Sequence, residues 1–261
     1  MDPLYPLAGF LVGLLVGFTG VGGGALMTPM LVFFFGMAPQ VAIGTDLLFA
    51  SVTKGVGSLV HGSRGSIDWL VLRRLAMGSL PAAAVTLWAI RNFPPEKDIK
   101  ALLLIALGVA LVLTSVAILF QPSLHRLGQR LRTTAPDRFK RVQPAFTVAA
   151  GALLGFLVTL TSVGAGALGV VMLVYLYPFR LTPAKLVGTD IAHAVPLTLV
   201  AGLGHWSLGN VNFELLGSLL VGSIPGIILG SRLSIRVNPA WVRTAIAIML
   251  AVVGGKLLLQ G

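Results

Sequence analysis

The tripeptide Gly-Thr-Asp occurs at residues 44–46 and again at 188–190, each time inside a long apolar run. A carboxylate in such a run is costly unless it is paired, hydrated or protonated. Asp46 and Asp190 therefore mark places where a proton is carried, a cation is held, or a helix is stapled by a hydrogen bond. Thr45 and Thr189 set a hydroxyl beside each carboxylate. His193 follows Asp190 by three residues and shares its helix face, as a proton relay or as a satisfied structural histidine. Lys54 lies two turns beyond Asp46. It could attract an anion, neutralise Asp46, or snorkel to a membrane surface about 9 Å away. Its counterpart in the second half is Thr198, so it stands outside the symmetric design. His61 and His205 match one another at segment ends, where loop positioning is the expected role.

A second chemistry-bearing pair is rich in glycine. "GVGGGA" at 20–25 and "SVGAGA" at 162–167 each separate two short apolar pieces. Irregular backbone at membrane depth is tolerated only where it is buried in protein or lines a wet cavity. The helix after each break begins with free N–H groups and a positive dipole end, which suits an anion. The expected substrate contacts are Thr19, Gly22, Gly23, Gly24 and Ala25 at the first break, and Thr161, Ser162, Gly164, Gly166 and Ala167 at the second. Thr45 and Thr189 are expected nearby. The alternative use of such small residues is close helix packing.

The elements that must position these groups are long and oily. Of 261 residues, 56% are hydrophobic and 10% charged, with no cysteine, and the mean hydropathy is +0.94. A soluble domain carries about 25% charged residues, so this composition specifies an integral membrane protein. Disulfides and thiolate metal sites are excluded, and no cofactor is expected. The net charge of +11 reads as basic loops held on the cytoplasmic side rather than as nucleic-acid binding. The opening "MDPLYPLAGF" lacks a basic leader region, so no cleavable signal peptide is expected.

The chain also matches itself. "FTGVGGGAL" (18–26) aligns with "LTSVGAGAL" (160–168), "HGSRGSIDW" (61–69) with "HWSLGNVNF" (205–213), and "GSLP" (78–81) with "GSIP" (222–225). The shift is 142 residues for the first block and 144 for the others and for the tripeptide. Two homologous halves follow, a common transporter plan. The first half has apolar pieces at 4–18 and 25–35, then runs at about 39–60, 68–91 and 98–120. The second has 146–160 and 167–177, then about 182–204, 212–235 and 239–259. The first two pieces of each half fall short of the roughly 20 residues a span needs. The spacing thus predicts an all-α membrane protein of about ten helical segments in two inverted-topology repeats, each opening with a glycine-broken short helix pair. The domains are 1–120, a basic linker 121–145, and 146–261. With the linker loop (Arg126, Arg130, Arg132, Arg138, Lys140, Arg141) placed inside, fourteen of the nineteen basic residues fall inside and four outside. A parallel arrangement gives ten against eight, so the positive-inside rule favours inversion, with both termini outside. Trp69, Trp88 and Trp241 near span ends, and Trp206 in a loop, fit interfacial anchoring.

Taken in order, the glycine-rich break, "AIGTDLLFAS", "HGSRGSIDW" and a "GSLP" turn, all repeated, resemble the TauE/SafE family of sulfite and organosulfur anion exporters. The resemblance covers nearly the whole chain. It implies a multi-pass transporter of the bacterial inner membrane for sulfite, sulfonates or related small anions. In that family the position after Gly-Thr is often serine or another small polar residue. Asp46 and Asp190 depart from this and point to proton coupling. The expected partners are a small anionic substrate and the lipid bilayer, with a homodimer open and no nucleic acid. A passive anion channel or an uptake permease for another organic anion is the alternative reading. No nucleophile elbow or His-Glu-x-x-His helix is present, so no enzyme is expected, and no Walker A motif supplies ATP within the chain.

Overall fold

The computed structural model describes residues 3–19, 24–62, 65–92, 99–233 and 239–260. Among the described residues all regular structure is helical: α1 Leu4–Thr19, α2 Gly24–Phe33, α3 Pro39–Gly62, α4 Trp69–Asn92, α5 Ile99–Thr134, α6 Pro136–Thr161, α7 Ala167–Leu176, α8 Pro183–Ser207, α9 Phe213–Leu233 and α10 Pro239–Gln260. Proline opens α3, α6, α8 and α10, the position where its missing N–H costs nothing and its fixed φ is already helical. At α8 the Thr182 hydroxyl also accepts from the Lys185 amide at 3.3 Å. Among the described residues five helices are long and apolar enough to cross a membrane: Trp69–Asn92, Ala101–Thr134, Pro136–Thr161, Pro183–Ser207 and Phe213–Gly230. α2 and α7, at 10 residues each, reach only about 15 Å.

Three sequence expectations are corrected. The segment 121–145 is not a loop: α5 continues to Thr134, α6 starts at Pro136, and Ala135 alone breaks the helix, at φ −138° and ψ 63°. The arginines of this stretch misled because their charge outweighs its pattern. Arg126, Arg130, Arg138, Lys140 and Arg141 are all exposed, while Leu124, Leu131 and Phe139 turn inward. As a result α6 has 26 residues, so the second half does not open with a short piece. The "GSLP" and "GSIP" blocks are not turns either. Pro81 and Pro225 lie inside α4 and α9, as prolines in membrane helices often do. Trp206 belongs to the last turn of α8.

Helix partners exchange between the halves. α1 lies along α9, and α6, its counterpart, lies along α4, the counterpart of α9. α3 packs on α8 and α5 on α10. The latter two pairs run antiparallel. The turn after α3 meets Gly188 near the start of α8, and the turn after α8 meets Gly44 near the start of α3. On α5, Gly108 faces Gly254, whereas Ser115, further along, donates to the Ala247 carbonyl, further back, at 2.7 Å. The α1–α9 and α4–α6 seams close on glycine. A Cβ on Gly222 would strike the Pro6 carbonyl and the Phe10 amide, and one on Gly78 the Val148 carbonyl and the Ala152 amide.

Candidate functional site

The repeated tripeptide divides into three jobs. Gly44 and Gly188 let a turn cross at contact distance: the Asn210 carbonyl sits where a Cβ of Gly44 would be, and the Ser66 carbonyl does the same at Gly188. Thr45 Oγ1 accepts from the Asn212 amide at 3.0 Å, and Thr189 Oγ1 from the Asp68 amide at 2.9 Å. Each threonine thus fastens the turn that leads into a helix of the other half. Asn212 and Asp68 in turn cap those helices, accepting from Leu215 N at 3.0 Å and Val71 N at 3.2 Å. The third residue, the aspartate, is left to face the interior.

One of these turns carries a latch that the other lacks among the described residues. Arg180, between α7 and α8, donates from Nε to Asp68 Oδ2 at 2.6 Å and from Nη2 to Oδ1 at 3.0 Å. Burial works to raise the Asp68 pKa, but the Arg180 hydrogen bonds, the Val71 amide and the Arg180 charge outweigh it and hold it below the ordinary carboxylate value. A depressed folded pKa means that this stabilisation is present above the unfolded pKa and is lost as pH falls through the folded one. The Arg180 side chain is 48% exposed, so its contribution is small. Arg180→Gln should lower stability at pH 7 by under about 1 kcal/mol. Thermal unfolding should show native and variant chains converging below about pH 3.

The interior site lies at the second glycine break. α6 ends on Ser162, which takes a left-handed conformation (φ 59°) and whose amide closes on the Val158 carbonyl at 2.8 Å. Ser162 is the one non-glycine residue with positive φ among the described residues, a strained geometry of the kind that collects at functional sites. Gly164 (φ 117°) and Gly166 (φ 128°) carry the chain into α7. Lys54 reaches across from the first half. Its Nζ donates to the Ala165 carbonyl at 2.6 Å, and the side chain is 2% exposed, so it does not snorkel. Neither Asp46 nor Asp190 lies within 4.0 Å of its ammonium. Thr28 of α2 donates to Asp46 Oδ2 at 2.5 Å. Asp190 Oδ2 is buried with no hydrogen-bond partner among the described residues, and the buried Asp46 Oδ1 and Ser162 Oγ have no partner there but one another. Buried polar atoms are almost always satisfied, so these oxygens, beside the break that Lys54 reaches, make it the candidate binding site.

The structure gathers Asp46, Asp190, Lys54, Ser162 and the Gly164–Ala167 backbone. It ties Thr45 and Thr189 to the turns instead. Thr161 Oγ1 donates to the Leu157 carbonyl at 2.6 Å and accepts from Val163 N, so it shapes the break. His193 bonds Ser79 of α4 at 2.8 Å. His205 faces the Thr159 carbonyl at 2.9 Å, which fixes the end of α6. Ala25 is buried in the apolar core. Gly22 and Gly23 lie outside the described residues, as do the side chains of Thr19 and His61; Gly24 opens α2. Sequence reasoning missed Thr28, Ser79 and the Thr53–Ser223 contact of 3.1 Å. Ser79 and Ser223 are the serines of the repeated "GSLP"/"GSIP" blocks, so their recurrence was the available signal. Thr28 has no hydroxyl counterpart, and nothing in the repeat marks it.

Among the described residues, five helices fit to cross a bilayer and charged groups buried at a broken helix define a multi-pass integral membrane protein of the kind that moves solutes. The profile of the sulfite exporter TauE/SafE family matches residues 5–257. The chain is 38% identical over 257 residues to "Probable membrane transporter protein YjnA" of Bacillus subtilis, covering 97% of this chain and 98% of the relative. It is 26% identical over 274 residues to "Probable membrane transporter protein MJ0441" of Methanocaldococcus jannaschii, covering 98% and 95%. It is 25% identical over 253 residues to "Probable membrane transporter protein YdhB" of Bacillus subtilis, covering 95% and 97%. No solved structure matches. The chain is a member of the TauE/SafE family.

Proposed function

We propose that this chain is a secondary transporter that exports small sulfur-containing anions, such as sulfite or sulfonates, across the bacterial inner membrane, with a proton as coupling ion. The observation that carries the reading is the set of buried oxygens of Asp46, Asp190 and Ser162 at the glycine break that Lys54 reaches, at the start of α7. An ammonium and the positive end of a helix suit an anion. With both carboxylates ionised and Lys54 charged, the site holds a net charge of −1. At that charge an anion is repelled until a carboxylate is neutralised, so the two aspartates are the groups on which proton and anion binding are linked. The matching family is that of the sulfite exporters, which supports the substrate class and direction. The antiparallel counterpart helices support repeats inverted across the membrane, with the basic α5–α6 corner cytoplasmic and both termini outside.

The test is flux in proteoliposomes loaded in turn with sulfite, sulfoacetate, thiosulfate and sulfate, with and without a pH gradient. Uphill movement of a sulfur oxyanion is expected only with the gradient, and Asp46→Asn and Asp190→Asn should each remove the gradient dependence. Downhill flux that ignores both carboxylates would make the protein a passive facilitator. No flux of any of the four would reject the substrate class.

A further inference from the structure

The corner where α5 meets α6 carries more than a topology signal. Pro122 in α5 and Pro144 in α6 bracket it, each removing a backbone hydrogen bond and easing a bend. Between them lies a groove of about 230 Å³ whose walls include Leu131, Arg138, Phe139, Val142, Phe146 and Tyr175. Arg138 is exposed and makes no hydrogen bond or ion pair among the described residues. By contrast, Arg132 is occupied at the same corner: it donates to the Pro136 carbonyl at 3.1 Å and stands 6.0 Å over the Phe139 ring. Six basic residues and one acid, Asp137, fall within 121–145. The apolar wall does not stop at the groove. Val142, Phe146, Leu153 and Phe156 are all exposed and, at this spacing, share one face of α6. A stripe of large apolar side chains thus leads from an unpaired guanidinium down the length of a helix fit to cross the bilayer.

We propose that this groove seats one anionic phospholipid, its phosphate on Arg138 and an acyl chain along Phe139, Val142, Phe146 and the α6 stripe below. A basic pocket between helices at the membrane surface has the charge and the apolar wall that such a lipid needs. The choice of a lipid over a soluble anion rests on the stripe: free phosphate would use Arg138 and leave the apolar face uncovered. The seat also touches the transport path. Tyr175 belongs to α7, whose C-terminal end is held by Gln143 of α6 through the Leu176 carbonyl and by His125 of α5, 3.4 Å from the Val174 carbonyl. The other end of α7 begins at the glycine break beside Lys54. A lipid in the groove therefore steadies the short helix that presents its N-terminus to the interior site.

The test uses the full chain in non-ionic detergent doped with phosphatidylglycerol, phosphatidylcholine or inorganic phosphate. Lipid retention is read by native mass spectrometry and stability by the thermal midpoint. Phosphatidylglycerol should be retained and should raise the midpoint, and the other two should do neither. Arg138→Gln should weaken phosphatidylglycerol about fivefold, equivalent to about 1 kcal/mol. Phe146→Ser should weaken it as well, while Arg126→Gln, off the groove, should not. Both groove variants should keep the native midpoint in phosphatidylcholine, which separates lost binding from lost folding. Equal retention of phosphatidylcholine, a full effect from phosphate alone, or equal weakening by Arg126→Gln and Arg138→Gln would overturn the proposal.

Discussion

Lys54→Met is expected to abolish uphill anion flux and to destabilise the fold by about 3 kcal/mol, the order of cost seen when one partner of a buried charge set is removed. The ammonium is buried on α3 and bound to a carbonyl of the second break. It is the buried positive charge that offsets Asp46 and Asp190; Asp46 has further support from Thr28 and Ser162, whereas Asp190 Oδ2 has no partner among the described residues. Removing it leaves two buried carboxylates facing each other's field at low dielectric, where like charges repel strongly. It also cuts a tie between the halves, since Lys54 belongs to the first and Ala165 to the second. Lys54→Arg keeps the charge but brings a planar fork where a compact ammonium fits; it should fold and transport poorly. Lys54→Met/Asp190→Asn should regain most of the lost stability, because one uncompensated charge is gone, yet remain inactive. Thermal unfolding and proteoliposome flux separate these outcomes. A Lys54→Met chain with native midpoint and native flux would remove Lys54 from the mechanism.

How much of this was legible depended on whether a signal recurred. The ten segments and their starts follow from apolar runs bounded by proline and glycine, and the structure places nine of the ten starts within a few residues of the expected ones. The exception is α6. Its first ten residues carry Arg138, Lys140 and Arg141, and their charge hid the inward-facing Phe139. Recurrence located the Gly-Thr-Asp motif but could not divide its labour. That Thr45 and Thr189 bond amides 167 and 121 residues away in sequence depends on α3 and α8 running antiparallel, which no local pattern records. Lys54 was legible as a cation within a span, with an interior role and snorkelling both open, and illegible as a ligand of Ala165, because its partner is a backbone carbonyl and carries no side-chain signature. Thr28 was invisible for the opposite reason: a lone threonine in an apolar helix is ordinary, and only its 2.5 Å contact with Asp46 gives it meaning.

The same two-fold exchange makes a prediction about glycines that composition alone would get wrong. Gly78→Ala and Gly222→Ala should each cost about 3 kcal/mol, at the upper end of overpacking. Helix propensity argues the other way, since alanine is better than glycine inside a helix by up to about 1 kcal/mol. Sterics wins because the added methyl meets backbone on the facing helix at both sites: Val148 and Ala152 of α6 for Gly78, Pro6 and Phe10 of α1 for Gly222. A side chain could rotate away, but a carbonyl in a helix moves only if the whole seam opens. Gly217 lies on α9 as well and has nothing near its missing Cβ, so Gly217→Ala should be neutral or stabilising by up to about 1 kcal/mol. Thermal unfolding of the three variants in one detergent reads both effects. Because the Gly78 and Gly222 seams are counterparts, their losses should match within about 0.5 kcal/mol and should add in the double variant if the seams yield independently. A large loss at one seam and none at the other would mean that the halves, alike in sequence, do not bear load alike, and that one seam is the place where the helices slide during transport.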